Sequence, residues 1–191
     1  MNPRAFIVHC WEGTPNDFWY PWLERELGKR GFLVCNLSMP DTLNPQIAPW
    51  VQKLKNAVGH VRPDDIFIGH SIGCQTIGRF LEKQLNTCSG VLFVAGWTQL
   101  KGLSEEQKVT AAPWLTQELR LQNIASRALS WDILLSDNDP WVEADAHAKI
   151  FTENLGANVH VVPQRGHFDN PEKDKTLPEA LSIIETWGVL A

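Results

Sequence analysis

The sequence lacks the features that mark membrane proteins and proteins that bind polyanions. No apolar run approaches the ~20 residues that a membrane-spanning helix requires. The formal net charge is −5 and no local cluster of lysine or arginine offsets it, which argues against nucleic acid or an anionic membrane as a partner. The first residues lack the charged region, long apolar core and cleavage site of a signal peptide, so we expect a cytoplasmic location.

Cysteine is scarce, and its spacing argues against a disulfide framework. The chain has four cysteines and no C-x-x-C pair among them. Cysteine and histidine do not form a recognisable metal-ligand pattern, so we expect no metal. We predict that Cys10, Cys35, Cys74 and Cys88 are reduced, small and buried.

What the sequence has instead is an alternation of two kinds of segment. Short apolar segments rich in Val, Ile and Phe are predicted strands: Phe6–Val8, Phe32–Leu37, Ile66–Ile68, Val91–Ala95, Ile133–Leu135 and Val159–Val162. Longer segments are predicted helices: Trp19–Arg30, Pro45–Val58, Cys74–Asn86, Trp141–Leu155 and Leu177–Gly188. This alternation predicts a single α/β domain over residues 1–191, with a mostly parallel sheet of about six strands and helices on both faces. All strands then end at one edge, where ligands bind.

One segment, Trp97–Ser130, does not fit the alternation. It contains no predicted strand, and its first part, Gln99–Lys108, is polar. One interpretation is a small insertion that acts as a lid or partial cap over the edge of the sheet where ligands bind. The other is a polar loop followed by an ordinary surface helix, Trp114–Ala128. Both remain open at this point.

The most informative motif is Gly69–Gly73, which reads Gly-His-Ser-Ile-Gly. It lies between the apolar run Asp65–Ile68 and the helix-like run Cys74–Glu82. A G-x-S-x-G motif between a strand and a helix places the serine on a strained turn, with its hydroxyl above the sheet. Ser71 is therefore the predicted nucleophile of a hydrolase. His70 occupies a variable position of the turn, where we expect local packing or hydrogen bonding.

A nucleophilic serine needs a base and an acid that orients the base, in the chain order serine, acid, histidine. The acid candidates follow the strand Ile133–Leu135: Asp139 is preferred because it immediately precedes the next helix, and Asp137 is the alternative. The base candidate is His167, which directly follows the last strand. Gly166 gives the backbone the freedom to bring this imidazole over the serine.

Acyl transfer also needs hydrogen-bond donors for the developing oxyanion. One is expected to be the backbone N–H of Ile72, the residue after the nucleophile. The second is expected from the loop after the first strand, where we choose the Trp11 N–H and keep Cys10 as the alternative.

Four aromatic residues follow predicted strands and are candidates for the walls of a substrate pocket: Trp11, Trp97, Trp141 and Phe168. Such walls would suit an apolar or aromatic acyl or leaving group. The alternative is that two or more of these residues pack under the loops as core.

Almost end to end, the chain resembles the retinoblastoma-binding protein 9 family of small serine hydrolases, in the α/β-hydrolase superfamily. The resemblance is carried by Trp19–Leu23, Met39–Asp41, Pro49–Trp50, Gly69–Gly73, Ser136–Pro140 and Gly166–Phe168. It implies an α/β-hydrolase fold with a minimal cap or none. It also implies catalytic roles for Ser71, Asp139 and His167, and hydrolysis of small esters or amides. Family members commonly have glycine-rich sequence after the first strand, where this chain has His-Cys-Trp-Glu-Gly from His9.

The sequence therefore predicts a serine hydrolase that cleaves small carboxylic esters through an acyl-enzyme, with amides as a second substrate class. The reaction needs no cofactor because the nucleophile, base and oxyanion donors are all protein groups. The alternative is a binding or interaction protein on a hydrolase scaffold, with secondary or lost catalysis. Nothing in the sequence indicates a particular protein partner.

Overall fold

The computed structural model describes residues 2–189, and at its centre lies a six-stranded sheet in which all neighbouring strands are parallel. The strands are β1 (Arg4–Val8), β2 (Leu33–Leu37), β3 (Asp65–His70), β4 (Cys88–Val94), β5 (Ala128–Ser136) and β6 (Asn158–Val162). The α-helices are α1 (Tyr20–Lys29), α2 (Ile47–Val58), α3 (Ile72–Glu82), α4 (Glu105–Thr116), α5 (Leu121–Ile124), α6 (Ala144–Leu155) and α7 (Pro178–Glu185). The predicted α/β fold, with about six strands and helices on both faces, is confirmed.

Two apolar layers bury the two faces of the sheet, because successive side chains of a strand point to opposite sides. In β1, Ala5 and Ile7 pack with residues of α1 and α7. Phe6 and Val8 pack on the other face with residues of α2, α3, α5 and α6. Both faces are therefore closed by helices, and a ligand can reach the sheet at the ends of the strands.

The strand order places a natural crevice between β1 and β3. The order across the sheet is β2-β1-β3-β4-β5-β6, so the chain runs outward from β1 to β2 and then returns to β3 on the other side of β1. Loops that leave β1 and β3 diverge at such a reversal and open a crevice beyond the carboxyl ends of the strands. These are the loops that carry Trp11 and Ser71.

The segment Trp97–Ser130 differs from one of the two expectations for it, and the other, a lid or partial cap, stays a prediction. Its main helix is α4, which ends at Thr116, so the expected surface helix over Trp114–Ala128 is wrong. Strand β5 begins at Ala128, five residues before the predicted strand. Helix α4 begins at a capping box: the Ser104 hydroxyl accepts from the Gln107 N–H, and the Gln107 side chain accepts from the Ser104 N–H.

Other expectations concern membranes, metals and thiols. Across residues 2–189, no helix has both the length and the apolar character needed to cross a bilayer. In the same part of the chain, no three His, Cys, Asp or Glu side chains gather as a metal site. The four cysteines are free: Cys10, Cys74 and Cys88 are buried, and Cys35 is half-buried.

Candidate active site

Ser71 lies on a tight turn between β3 and α3. Its backbone has φ +54° and ψ −115°, a conformation that L-residues rarely adopt and that is typical of strained functional turns. Its side chain makes no capping bond to α3, although serine is a favoured N-cap. Instead, Ser71 Oγ accepts a hydrogen bond from Trp97 Nε1 at 3.3 Å. The hydroxyl is therefore held at the edge of the sheet and keeps its own proton available to donate.

The glycines of the turn are there because neighbouring backbone leaves no room for a side chain. A Cβ on Gly69 would lie 2.7 Å from the backbone nitrogen of Cys74. A Cβ on Gly73 would lie 2.2 Å from the carbonyl oxygen of Val8, at the end of β1. Real Cβ atoms do not approach backbone this closely, so only glycine lets α3 start against β1 and present Ser71 at the crevice.

His167 and Asp139 form a buried pair. His167 Nδ1 lies 2.7 Å from Asp139 Oδ2, and each residue is about 5% exposed. Asp139 Oδ1 accepts backbone N–H bonds from Trp141 at 2.8 Å and from Val142 at 3.0 Å. Because these bonds hold the carboxylate as an acceptor, Nδ1 of the neutral imidazole carries the proton and Nε2 carries the lone pair. That tautomer is the one a general base needs.

The alternative acid, Asp137, makes a different contact. It is exposed, and its carboxylate accepts the Gln164 N–H at 2.8 Å. Of the two candidates, it is Asp139 that lies against the histidine.

The backbone N–H groups of Ile72 and Trp11, the two expected oxyanion donors, have no acceptor within residues 2–189. The Cys10 N–H, which was the alternative to Trp11, donates to Tyr20 Oη at 3.1 Å. It is therefore occupied, whereas the N–H groups of Ile72 and Trp11 are not.

A buried hydrogen-bond relay joins the loop after β1 to the loop that carries His167. Tyr20 Oη accepts from Cys10 and lies 2.5 Å from His70 Nδ1, while His70 Nε2 lies 2.7 Å from the carbonyl oxygen of His167. One proton assignment satisfies all three bonds: the tyrosine donates to Nδ1, and Nε2–H donates to the carbonyl.

The electrostatics agree with a neutral His70. Burial, followed by the nearby His167, lowers the pKa of His70 well below its ordinary value. Burial likewise raises the pKa of Tyr20 well above its ordinary value, so the phenol keeps its proton. We expected only local contacts for His70, but it links positions 20 and 167. Tyr20 was not singled out from the sequence, although it is the chain's one tyrosine.

A cavity of about 140 Å³ opens above Ser71. Its walls are Cys10, Trp11, Glu12, Ser71, Leu100, Leu103, Gln107, Trp141, His167 and Asp169. Ser71 and His167 thus face one small space, as do two of the four expected aromatic wall residues. The Trp141 ring stands perpendicular to the His167 imidazole, with the centroids 4.8 Å apart. Leu100, Leu103 and Gln107 come from the segment before and at the start of α4, so this segment forms one side of the cavity.

The other two expected wall residues lie elsewhere. Phe168 is fully buried in the apolar layer under α1 and α7, with the Arg165 guanidinium 5.6 Å from its ring centroid. Its expected place in the pocket is corrected: its backbone has φ +60°, and the turn directs its side chain into the core while His167 faces the cavity. Trp97 is 3% exposed and belongs to the core, although its indole N–H reaches Ser71.

Comparisons with known proteins show which family this chain belongs to. A sequence profile described as serine hydrolase matches residues 5–186. The chain belongs to the serine hydrolase family. It is 24% identical to the protein YdeN of Bacillus subtilis (strain 168) over 193 residues, covering 98% of this chain and 97% of YdeN.

Solved structures of several other proteins have the same fold. The crystal structure of the B. subtilis ydeN gene product aligns with a TM-score of 0.86 and 22% identity, over 97% of this serine hydrolase and 98% of that chain. The monoacylglycerol lipase of Paleococcus ferrophilus aligns with a TM-score of 0.72 and 14% identity, over 96% and 93% of the two chains. The carboxylesterase CesB of B. subtilis aligns with a TM-score of 0.60 and 12% identity, over 96% and 84%.

Two carboxylates line the cavity of this serine hydrolase, and neither was found from the sequence. Glu12 is exposed at its mouth, and Asp169 is half-buried two residues after His167. Burial raises the pKa of Asp169 above its ordinary value, and the nearby Asp139 acts in the same direction, whereas His167 opposes them. In the sequence, only their positions could have indicated that these two residues line the cavity. Glu12 directly follows Trp11, and Asp169 directly follows the Gly-His-Phe turn.

Proposed function

We propose that this serine hydrolase cleaves small carboxylic esters through an acyl-enzyme formed on Ser71. The observation that carries the proposal is the buried 2.7 Å contact between His167 Nδ1 and Asp139 Oδ2, beside a cavity that Ser71 and His167 share. An oriented neutral imidazole next to an uncapped serine is the arrangement that activates a hydroxyl.

The steps follow from the hydrogen bonds of Asp139 and from the cavity that Ser71 and His167 both line. His167 Nε2 accepts the proton of Ser71 Oγ as this oxygen attacks the ester carbonyl. Asp139 holds the imidazole tautomer and stabilises the imidazolium. The N–H groups of Ile72 and Trp11 bind the oxyanion, each contributing roughly 2.7–4 kcal/mol of transition-state stabilisation.

The second half of the reaction uses the same groups. His167 returns its proton to the leaving alcohol, and the acyl-enzyme is then hydrolysed by water that His167 activates. An amide would follow the same route with a poorer leaving group, which makes esters the preferred class. The reaction proposed here requires no metal or cofactor.

The relatives support this assignment. Structural neighbours include a carboxylesterase and a monoacylglycerol lipase. The acid loop and Gly-His-Phe turn, which resemble those of the retinoblastoma-binding protein 9 family, support the same three residues. A binding protein that has lost catalysis would not need an accepting carboxylate, an oriented imidazole and two N–H groups with no acceptor around one serine.

Fluorophosphonate labelling tests the proposal, because the probe reacts only with an activated serine. We expect the wild type to label, and Ser71→Ala and His167→Ala not to. For hydrolysis of an aryl acetate, we expect Asp139→Asn to lower kcat by roughly 10³- to 10⁴-fold, since the tautomer is lost. The matched control is Asp137→Asn, the same change two residues away, which we expect to alter kcat by less than about threefold because it leaves the His167–Asp139 bond in place.

Two results would count against the proposal. Equal labelling of Ser71→Ala and the wild type would remove Ser71 as the nucleophile. A folded wild type that does not label would favour the binding protein.

A further inference from the structure

The charges that line the candidate active-site cavity all have one sign when the histidine is neutral. Glu12 and Asp169 contribute carboxylates, and the remaining wall residues include no lysine or arginine. A small cavity lined by charge of one sign concentrates ligands of the opposite sign. The lining therefore favours a positively charged group over a neutral one and disfavours an anion.

Asp169 differs from the buried aspartates of residues 2–189 in having no side-chain partner. Asp65 is paired with Arg4 at 2.7 Å, and Asp174 with Arg165 at 3.1 Å. Asp132 accepts from His160 and Trp187, each at 2.8 Å. The Asp169 carboxylate makes no hydrogen bond or ion pair with another side chain of residues 2–189, and the group that bonds to it is its own backbone N–H.

A half-buried carboxylate without a cationic partner is costly, because burial removes part of its water and one backbone N–H replaces little of it. A cation bound in the cavity would supply the missing partner.

The cavity is also built to receive a ligand next to this carboxylate. His167 is 5% exposed, and its Nε2 has no hydrogen-bond partner within residues 2–189, although the residue lines the cavity. Trp11 and Trp141 supply aromatic faces, which attract cations through the ring quadrupole. The leucines of the wall can contact the methylene or methyl groups that carry the charge.

We propose that the cavity selects esters that bear a cationic ammonium group, held by Asp169 with Glu12 at the mouth and with Trp11 and Trp141 as its aromatic walls. The inference rests on the proposed esterase function and adds a substrate class to it. The ammonium group can lie on the alcohol half or the acyl half of the ester, and the two halves are tested separately.

Two matched pairs of esters test the proposal, each differing in a quaternary nitrogen against a quaternary carbon. Choline acetate is compared with 3,3-dimethylbutyl acetate for the alcohol half. The phenyl ester of 4-(trimethylammonio)butanoate is compared with that of 5,5-dimethylhexanoate for the acyl half. The measured quantity is the cationic-to-neutral ratio of kcat/KM at fixed ionic strength. For the half that occupies the cavity, we expect a wild-type ratio of about ten, the factor that one contact of about 1.4 kcal/mol supplies.

Variants separate selection by these carboxylates from the overall negative charge of the protein. We expect Asp169→Asn to bring that ratio close to one, and Glu12→Gln to lower it less because Glu12 is more exposed. Asp145→Asn on α6 removes the same charge from an exposed side chain outside the cavity, and we expect it to leave the ratio unchanged. Circular dichroism establishes that each variant is folded.

The two proposals fail in different ways. Wild type that labels with fluorophosphonate but has a ratio near one for both pairs would overturn the cation selection alone. So would a wild-type ratio that persists in the Asp169→Asn, Glu12→Gln double variant. Absence of labelling in folded wild type would instead overturn the esterase proposal on which this inference depends.

Discussion

At the scale of single residues, Tyr20 and His70 hold together loops that are far apart in the chain. Tyr20 occupies the Cys10 N–H and contacts His70, and His70 in turn contacts the main chain at His167. The same bonds leave the neighbouring Trp11 N–H as the donor without an acceptor. These residues do not line the cavity, so we regard them as positioning residues for both the proposed base and the proposed oxyanion donors.

Removing the Tyr20 hydroxyl tests whether the residue positions the loops. We expect Tyr20→Phe to destabilise the fold by about 1–3 kcal/mol, because the buried Cys10 N–H and His70 Nδ1 lose their partner. We also expect kcat for an aryl ester to fall by roughly tenfold with little change in KM. The reason is that the His167 loop and the proposed oxyanion donors would no longer be held in position relative to each other.

Urea unfolding and steady-state kinetics measure the two effects. A stability loss with kcat unchanged would make the relay structural only, and a rise in KM alone would place the effect on substrate binding.

At the scale of elements, the approach of α3 to the end of β1 positions Ser71, the proposed nucleophile. Gly73→Ala would place a Cβ 2.2 Å from the Val8 carbonyl oxygen, and backbone cannot move aside as a side chain can. We expect a loss of more than about 3 kcal/mol in the free energy of unfolding, or failure to fold, because overpacking is here against main chain.

Gly28→Ala on α1 is the matched control, since a Cβ there meets nothing within 4 Å. We expect it to stabilise the protein by up to about 1 kcal/mol, the helix-propensity difference between alanine and glycine. Thermal or urea unfolding distinguishes the two variants, and equal effects would contradict the steric argument.

The sequence predicted the strands and helices whose apolar residues are continuous or repeat with one clear spacing. It missed those in which polar residues interrupt the apolar pattern. The buried strands and the helices with an apolar stripe lie within a few residues of their predicted ends. Helix α4 was not predicted because its start, Glu105–Lys108, is polar and Pro113 lies inside it. The capping-box residues Ser104 and Gln107 were the available signal. The first half of β5 was missed because polar residues interrupt its apolar pattern.

The candidate site likewise has parts that the sequence predicted and parts that it did not. The turn at Ser71 and the loops of Asp139 and His167 follow from motif and strand order, so each could be placed from the sequence. Side-chain direction could not: Phe168 is adjacent to His167 but points into the core, whereas Asp169 points to the cavity. That difference depends on the turn's backbone angles, which residue types alone do not specify.

At the scale of the whole molecule, buried neutral histidines couple stability to pH. Burial lowers the pKa of His70 well below its ordinary value, and burial also lowers that of His9. His70 is surrounded by Tyr20 and His167; His9 bonds to Cys10 and Met39 and lies within the field of Asp17. As the pH falls below about 6.5, the unfolded chain takes up protons on both histidines before the folded protein does.

We therefore expect the free energy of unfolding to fall with decreasing pH, from about pH 6.5 down to the folded-state pKa of each histidine. The slope for His70 is about 1.4 kcal/mol per pH unit, and His9 adds in the same direction. Urea unfolding between about pH 7 and pH 5 measures it. His70→Gln and, separately, His9→Gln should each give a shallower dependence. If both variants keep the wild-type slope, other groups cause it.

The order in which the site residues occur along the chain has a consequence for synthesis. The loop of Trp11 and the turn of Ser71 leave the ribosome early, but His167 follows β6, the last of the six strands along the chain. Helix α7 comes later still and is followed by Trp187, which packs over Gly90 of β4 and donates to Asp132 of β5. Under the proposed mechanism, a nascent chain therefore holds Ser71 for most of translation without the histidine that would activate it. Acylation of the serine would then have to wait for the loop that follows β6.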